Sequence, residues 1–274
     1  MQKAIKMAVP LNYSEEQITH VVAKREVFDV LNLSEGDIWV TGSFCKNPIS
    51  IPIRDIDFIV FRGSEQIANL TLEQIKEKLK IGINPPEIRI LKNLNIISFA
   101  FPIYDSANGR TDRWCQIDLI FVDNISYASW FYLSTRDSNY KGAHRNILLS
   151  VIASLIKLNV VKKYENIPVR WNRLYLEPGG LYWGIQSIEG KSGKPTTTRT
   201  TLKKEFISNK LGEVIKEILG ENASSHDTDS FERVYNFIKS PKFPYKKYVP
   251  IILKRVKEIY ENAEMIIPEE IKNV

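Results

Sequence analysis

The sequence predicts an α+β protein: a mixed-sheet domain over residues 1–130, followed by a mostly α-helical, basic domain over 131–274. Three observations predict this. Short runs of β-branched and aromatic residues alternate with helical patterns as far as residue 122. Beyond Tyr127 the apolar spacing becomes mainly helical. The charge also divides, with 15 Lys+Arg against 17 Asp+Glu in residues 1–137 (net −2) and 23 against 15 in residues 138–274 (net +8). A chain of 274 residues is long enough for two domains of ordinary size.

The elements follow in order. Ser14 to Leu33 carries Ile18, Val21, Val22, Phe28 and Leu31 at helical spacing, with Ser14, Glu15 and Glu16 as an N-terminal signal. Ile38 to Thr41 is a short strand entering a Gly42-Ser43 turn, and residues 53–61 form the next strand. A helix over 71–80 begins near Thr71 and stops at Gly82. Strands follow at Glu87 to Leu91, Ile96 to Ile103 and residues 115–122, with a polar loop from Asp105 to Asp112. Few strands with flanking helices make a compact sheet domain. In the second half, Lys141 to Val160 reads as a helix with a broad apolar face, and residues 164–200 read as irregular, rich in Gly and Pro. Within that stretch Leu181 to Ile185 reads as a short strand or a packed loop. Helices are predicted again at 201–219, 230–239 and 249–264.

Composition narrows the class. Hydrophobic residues at 43% and charged ones at 26% fit a globular chain. The longest apolar run, Ile147 to Ile156, is broken by Ser150 and Ser154 and falls well short of the ~20 residues that span a bilayer. No membrane partner and no signal peptide are expected. Cys45 and Cys115, with no paired spacing and no nearby histidines, are poor zinc ligands and suit a reducing, cytoplasmic setting. The basic second half favours a polyanionic partner through phosphate contacts, although a solvated lysine-rich surface explains the same charge.

The chemistry concentrates in the strand at 53–61. Asp55 and Asp57 alternate with Ile56, Phe58 and Val60, so both carboxylates project from one face of the strand and the apolar side chains from the other. Like charges side by side repel unless a cation compensates them. A third acid, Asp118, lies in the apolar run Gln116 to Val122. Three carboxylates on neighbouring strands form a hard, oxygen-rich cage suited to Mg²⁺.

Gly42-Ser43, Asp55-x-Asp57 and Asp118 together resemble the signature of the polymerase-β-like nucleotidyltransferase superfamily, over roughly residues 35–125. The resemblance implies a nucleotidyltransferase that moves a nucleoside monophosphate from a nucleoside triphosphate to a hydroxyl and releases pyrophosphate. It implies two Mg²⁺ ions (with Mn²⁺ able to substitute) held by Asp55, Asp57 and Asp118. Gly42 would allow close backbone approach, and Ser43 with the following amides would hold phosphate oxygens. Lys46 and Arg54 could contact phosphate or be ordinary surface charges. From the following helical domain, Lys141 and Arg145 would share a helix face and clamp phosphates while Tyr140 stacks on a base. The alternative for this segment is helix capping by Ser138 or Asn139 with exposed charge. His144 reads as structural or surface rather than catalytic.

The layout is also similar to archaeal-type CCA-adding enzymes and related RNA-terminal transferases, which makes an RNA 3′ end, such as that of a tRNA, the expected acceptor. Two further readings stay open: transfer to a protein or small-molecule hydroxyl, and a non-catalytic nucleic-acid-binding module. Cations and aromatics interleave at Arg170 to Tyr175 and Leu181 to Trp183, which fits phosphate contact and stacking or simple core packing. Lys242 to Lys247 reads as a phosphate-contacting loop or a solvated basic turn. Lys191 to Lys194 lacks the preceding strand and first glycine of a P-loop.

Overall fold

Asn12 opens the first helix, α1 (Tyr13–Leu31): its side chain accepts from the Glu15 amide at 2.9 Å while Glu15 accepts from the Asn12 amide at 3.0 Å. At the other end Asn32 adopts the left-handed conformation that stops the helix. In this computed structural model, residues 5–42, 55–132, 140, 142–156, 169–189 and 195–274 are described. The chain divides into two units, Met1–Asp137 and Ser138–Val274.

The first unit is built on a five-stranded sheet in the order β1-β2-β5-β4-β3. Its strands are β1 (Ile38–Thr41), β2 (Asp55–Phe61), β3 (Ile88–Leu91), β4 (Ile96–Asp105) and β5 (Gly109–Val122). Only β2 and β5 run parallel, so the sheet is mixed. One face carries Ile56, Phe58 and Val60 of β2, Ile117, Leu119 and Phe121 of β5, and Ile97, Phe99 and Phe101 of β4. These form one core with Val27 and Leu31 of α1 and Ile75 and Leu79 of α2 (Leu72–Gly82). α2 starts on a second reciprocal cap, Thr71 with Gln74. On the opposite face Ile59, Ile96, Ile120 and Val122 pack with Ala128 of α3 (Ile125–Tyr132).

β4 and β5 run further than the apolar pattern predicts. The predicted loop at Asp105 to Asp112 is mostly a hairpin extension, since Tyr104 pairs with Arg110 and Asp105 with Gly109. Backbone pairing does not need an apolar face, so the ladder continues through polar residues. The turn is held by Asp105 Oδ1, which accepts from the Ala107 amide at 2.9 Å and the Asn108 amide at 2.5 Å.

The second unit is mostly helical but begins around a small antiparallel sheet. α4 (Gly142–Ile156) precedes β6 (Val169–Glu177), β7 (Gly180–Glu189) and β8 (Pro195–Ser208), in the order β6-β7-β8. This corrects the irregular reading of residues 164–200: Pro178 and Gly179 are a hairpin turn between paired Glu177 and Gly180, and Leu181 to Ile185 lies inside β7. It also corrects the helix predicted from residue 201. The helix is α5 (Leu211–Leu219), and Thr201 to Ser208 belongs to β8. Leu202 and Phe206 mimic a helix face by their spacing, but the run of β-branched threonines before them favours a strand. α6 (Phe231–Lys239) and α7 (Val249–Asn262) occupy the predicted positions. Among the described residues no helix is long and apolar enough to cross a membrane.

Candidate metal centre

Parallel pairing of β2 with β5 decides the site. Its register sets Asp55 beside Gln116 and Asp57 beside Asp118. On the outer flanks Thr41 of β1 pairs with Asp57, and Ser98 of β4 pairs with Asp118. A polar row, Thr41-Asp57-Asp118-Ser98, therefore crosses the sheet on the face away from α1 and α2. The next row on that face, Trp39-Ile59-Ile120-Ile96, is apolar and supports α3.

Carboxylate oxygens of Asp55, Asp57 and Asp118, all half-buried, lie within 4.8 Å of one another. At that separation an ionised pair repels by on the order of 3 kcal/mol for an effective dielectric of about 20. Asp118 shows the consequence. Its carboxyl is raised to about 6, chiefly by burial and to a smaller extent by the charge of Asp55, with the Gln116 amide acting against both. Gln116 Nε2 donates to both Asp118 oxygens at 3.0 Å, while Gln116 Oε1 accepts from the Ile5 amide at 3.1 Å. Neither Gln116 nor Ser98 is a cation, so neither neutralises Asp118.

Gly42 closes the site from the end of β1. Its φ is +74°, and a Cβ there would stand 2.0 Å from Asp57 Oδ2. The position requires glycine twice, for the left-handed backbone and for the close seat of the carboxylate. Tyr132 at the end of α3 stands on the same side: burial raises its hydroxyl, and the negative charge of Asp57 raises it further. Among the described residues the cluster is three carboxylates with no sulfur or nitrogen donor, which fits a hard divalent ion such as Mg²⁺ or Mn²⁺.

The chain matches no protein-family model and none of the curated proteins compared with it. A mixed five-stranded sheet bearing these acids on adjacent strands is compatible with a polymerase-β-like fold. Of the residues singled out in the sequence, the structure brings together Gly42, Asp55, Asp57 and Asp118. Ser43, Lys46, Arg54 and Lys141 lie outside the described residues.

Tyr140 and Arg145 belong to the second unit. The Tyr140 hydroxyl donates to Glu270 at 2.9 Å and accepts from the Glu269 amide at 3.0 Å, and its ring packs edge-on to Phe231. Arg145 is fully buried, and its Nε and Nη2 donate to Asn146 Oδ1 at 3.1 and 3.0 Å. His144 is structural, with Nδ1 at 2.7 Å from the Tyr260 hydroxyl. Cys115 is buried, its thiol pushed up to about 12 by desolvation, which leaves it a weak metal ligand.

Sequence reading missed Gln116, Ser98, Thr41 and Tyr132. Gln116 carried one signal, its position two residues before Asp118 on the same strand face. Ser98, Thr41 and Tyr132 enter only through strand order and register.

Proposed function

We propose that the protein is a divalent-metal-dependent nucleotidyltransferase that moves a nucleoside monophosphate from a nucleoside triphosphate to a hydroxyl, with an RNA 3′ end as acceptor. The observation that carries this reading is the in-register meeting of Asp57 and Asp118 beside Asp55, with Gly42 seated on Asp57. Asp55, Asp57 and Asp118 are the residues that would hold the metal. Bound Mg²⁺ or Mn²⁺ would supply Lewis acidity toward the phosphate oxygens and the attacking hydroxyl.

The chain's own groups support the rest of the chemistry. The acceptor oxygen forms a bond to the α-phosphorus as the bond to the pyrophosphate oxygen breaks. Asp118, half-buried in the row beside Asp57, is the carboxylate placed to take the proton that the hydroxyl loses. Gln116 holds that carboxylate in place through two hydrogen bonds.

An RNA acceptor is favoured by the second unit. From Arg233 to Lys257 the chain carries eight Lys+Arg and no Asp or Glu. Lys239, Lys242, Lys246 and Lys247 are exposed there, and two of them lie over the tyrosine rings of Tyr235 and Tyr248 at 4.9 and 5.0 Å. Such a surface suits phosphates and unstacked bases better than a cationic small molecule.

The test is incubation of the protein with RNA, each labelled triphosphate and Mg²⁺ or Mn²⁺, with Asp118→Asn as control. Label on the RNA 3′ end with wild type and none with the variant is expected. Label on protein or a small molecule would move the acceptor, and no label on any substrate would end the transferase reading.

A further inference from the structure

The second unit contains a cavity of about 480 Å³ bounded by α4, β6 and α7. That volume is within the range of about 300–1,000 Å³ typical of small-ligand sites. Ile147, Leu174 and Ile259 supply apolar walls; Asn146, Ser150 and Arg255 bring polar groups. Among the described residues Arg255 is the one charged group in the lining, so the cavity favours an anionic or neutral ligand over a cation.

Two features make the wall preorganised. Buried Arg145 donates twice to Asn146 Oδ1, which fixes the end of the amide that donates onward. β6 gives the cavity its buried Leu174 and Leu176, whereas the alternate Tyr175 ring lies on the other face of the strand, packed on Gly184 with Lys204 Nζ 5.2 Å from its centre. β6 is an edge strand of its sheet, so its backbone adds hydrogen-bonding groups beside those leucines. Arg255 now pairs with Glu258 at 2.8 Å, a surface ion pair easily exchanged for a ligand anion.

An aliphatic wall with amide and hydroxyl groups suits a flat, hydrogen-bonding heterocycle, and the guanidinium suits a phosphate. We propose that this cavity binds a nucleoside monophosphate, with its base between the Leu174 and Ile259 walls and its phosphate on Arg255. The chemistry is the same for a free nucleotide and for the terminal nucleotide of a strand. The site lies wholly within the second unit and does not depend on transfer chemistry at the aspartates.

Calorimetric titration of the full chain in EDTA tests this, using AMP, CMP, GMP and UMP, the matching nucleosides and a short single-stranded RNA. Binding of at least one monophosphate is expected. Arg255→Gln, at an exposed position, should weaken it about tenfold or more, and the nucleoside should bind as weakly to wild type. Ser150→Leu, which fills the cavity, should abolish binding, and Asp118→Asn should bind as wild type does. Tighter binding of the RNA with the same variant dependence would assign a strand end, and weaker binding a free nucleotide. No binding of any monophosphate at millimolar concentration would overturn the proposal, as would binding indifferent to Arg255→Gln and Ser150→Leu. Because Asp118→Asn separates the two sites, its loss of nucleotidyl transfer with monophosphate binding retained distinguishes failure of one reading from failure of the other.

Discussion

Glu16 is fully buried in α1, and among the described residues no well-formed hydrogen bond reaches either carboxylate oxygen. Burial pushes its pKa from 4.5 to about 7, and the neighbouring Gln17 side chain offsets this only in part. Between those values the folded chain keeps a proton that the unfolded chain has lost, so stability falls as pH rises through that window and the penalty is complete above it. Asp118, raised from 3.8 to about 6, acts in the same direction. Replacing Glu16 by Met removes the buried charge and keeps a straight-chain helix former. Urea denaturation should show Glu16→Met more stable than wild type, by on the order of 2–3 kcal/mol more near pH 8 than near pH 4. An equal effect at both pH values would mean that Glu16 titrates normally. At Gly42, an alanine would combine a left-handed backbone strain of about 1 kcal/mol with a methyl group where Asp57 Oδ2 now sits. Mn²⁺ affinity, read by electron paramagnetic resonance, should fall at least tenfold in Gly42→Ala while the fold loses only about 1–2 kcal/mol; unchanged affinity would show that Gly42 does not seat Asp57. Both Gly42 and the alternating acids were legible in the sequence, since each follows from local backbone rules. Tyr132 and Ser98 were not, because their nearness to the acids depends on which strands become neighbours.

At the scale of elements, β5 organises the first unit: it pairs with β2 on one side and β4 on the other. Gln116 ties the N-terminal segment to β5 through one amide, holding Ile5 and both oxygens of Asp118. Gln116→Ala should lower stability by about 1–2 kcal/mol and weaken Mn²⁺ binding. Reduced stability with metal affinity intact would leave Gln116 as an anchor for the N-terminal segment alone. β2 and the latter half of β5 could be read from sequence because they are short runs dense in β-branched and aromatic residues. β6 to β8 were harder. β8 reads Thr-rich and then lysine-rich, and no apolar alternation marks it as a strand. Pro178 and Gly179, which look like the mark of an irregular segment, are the tight turn that makes β6 and β7 a hairpin.

At the scale of the molecule, the division of charge follows the division into units: residues 1–137 are net −2 and residues 138–274 net +8. On the proposed function, binding of single-stranded RNA should weaken steeply with salt. Replacing Lys239, Lys242, Lys246 and Lys247 by Gln should reduce the slope of log affinity against log salt by about 0.7 for each phosphate that is no longer neutralised. A slope unchanged in the fourfold variant would place the RNA elsewhere. The strand order has one more consequence. β1–β2 and β4–β5 are each antiparallel pairs that can form locally, and they meet only along the parallel seam between β2 and β5. Asp55 and Asp57 arrive on one piece and Asp118 on the other. A nascent chain that has not yet presented β5 holds an incomplete set of ligands, and closing that non-local seam is among the slower events of folding. The capacity to bind metal is thus withheld during synthesis and arises together with the finished sheet.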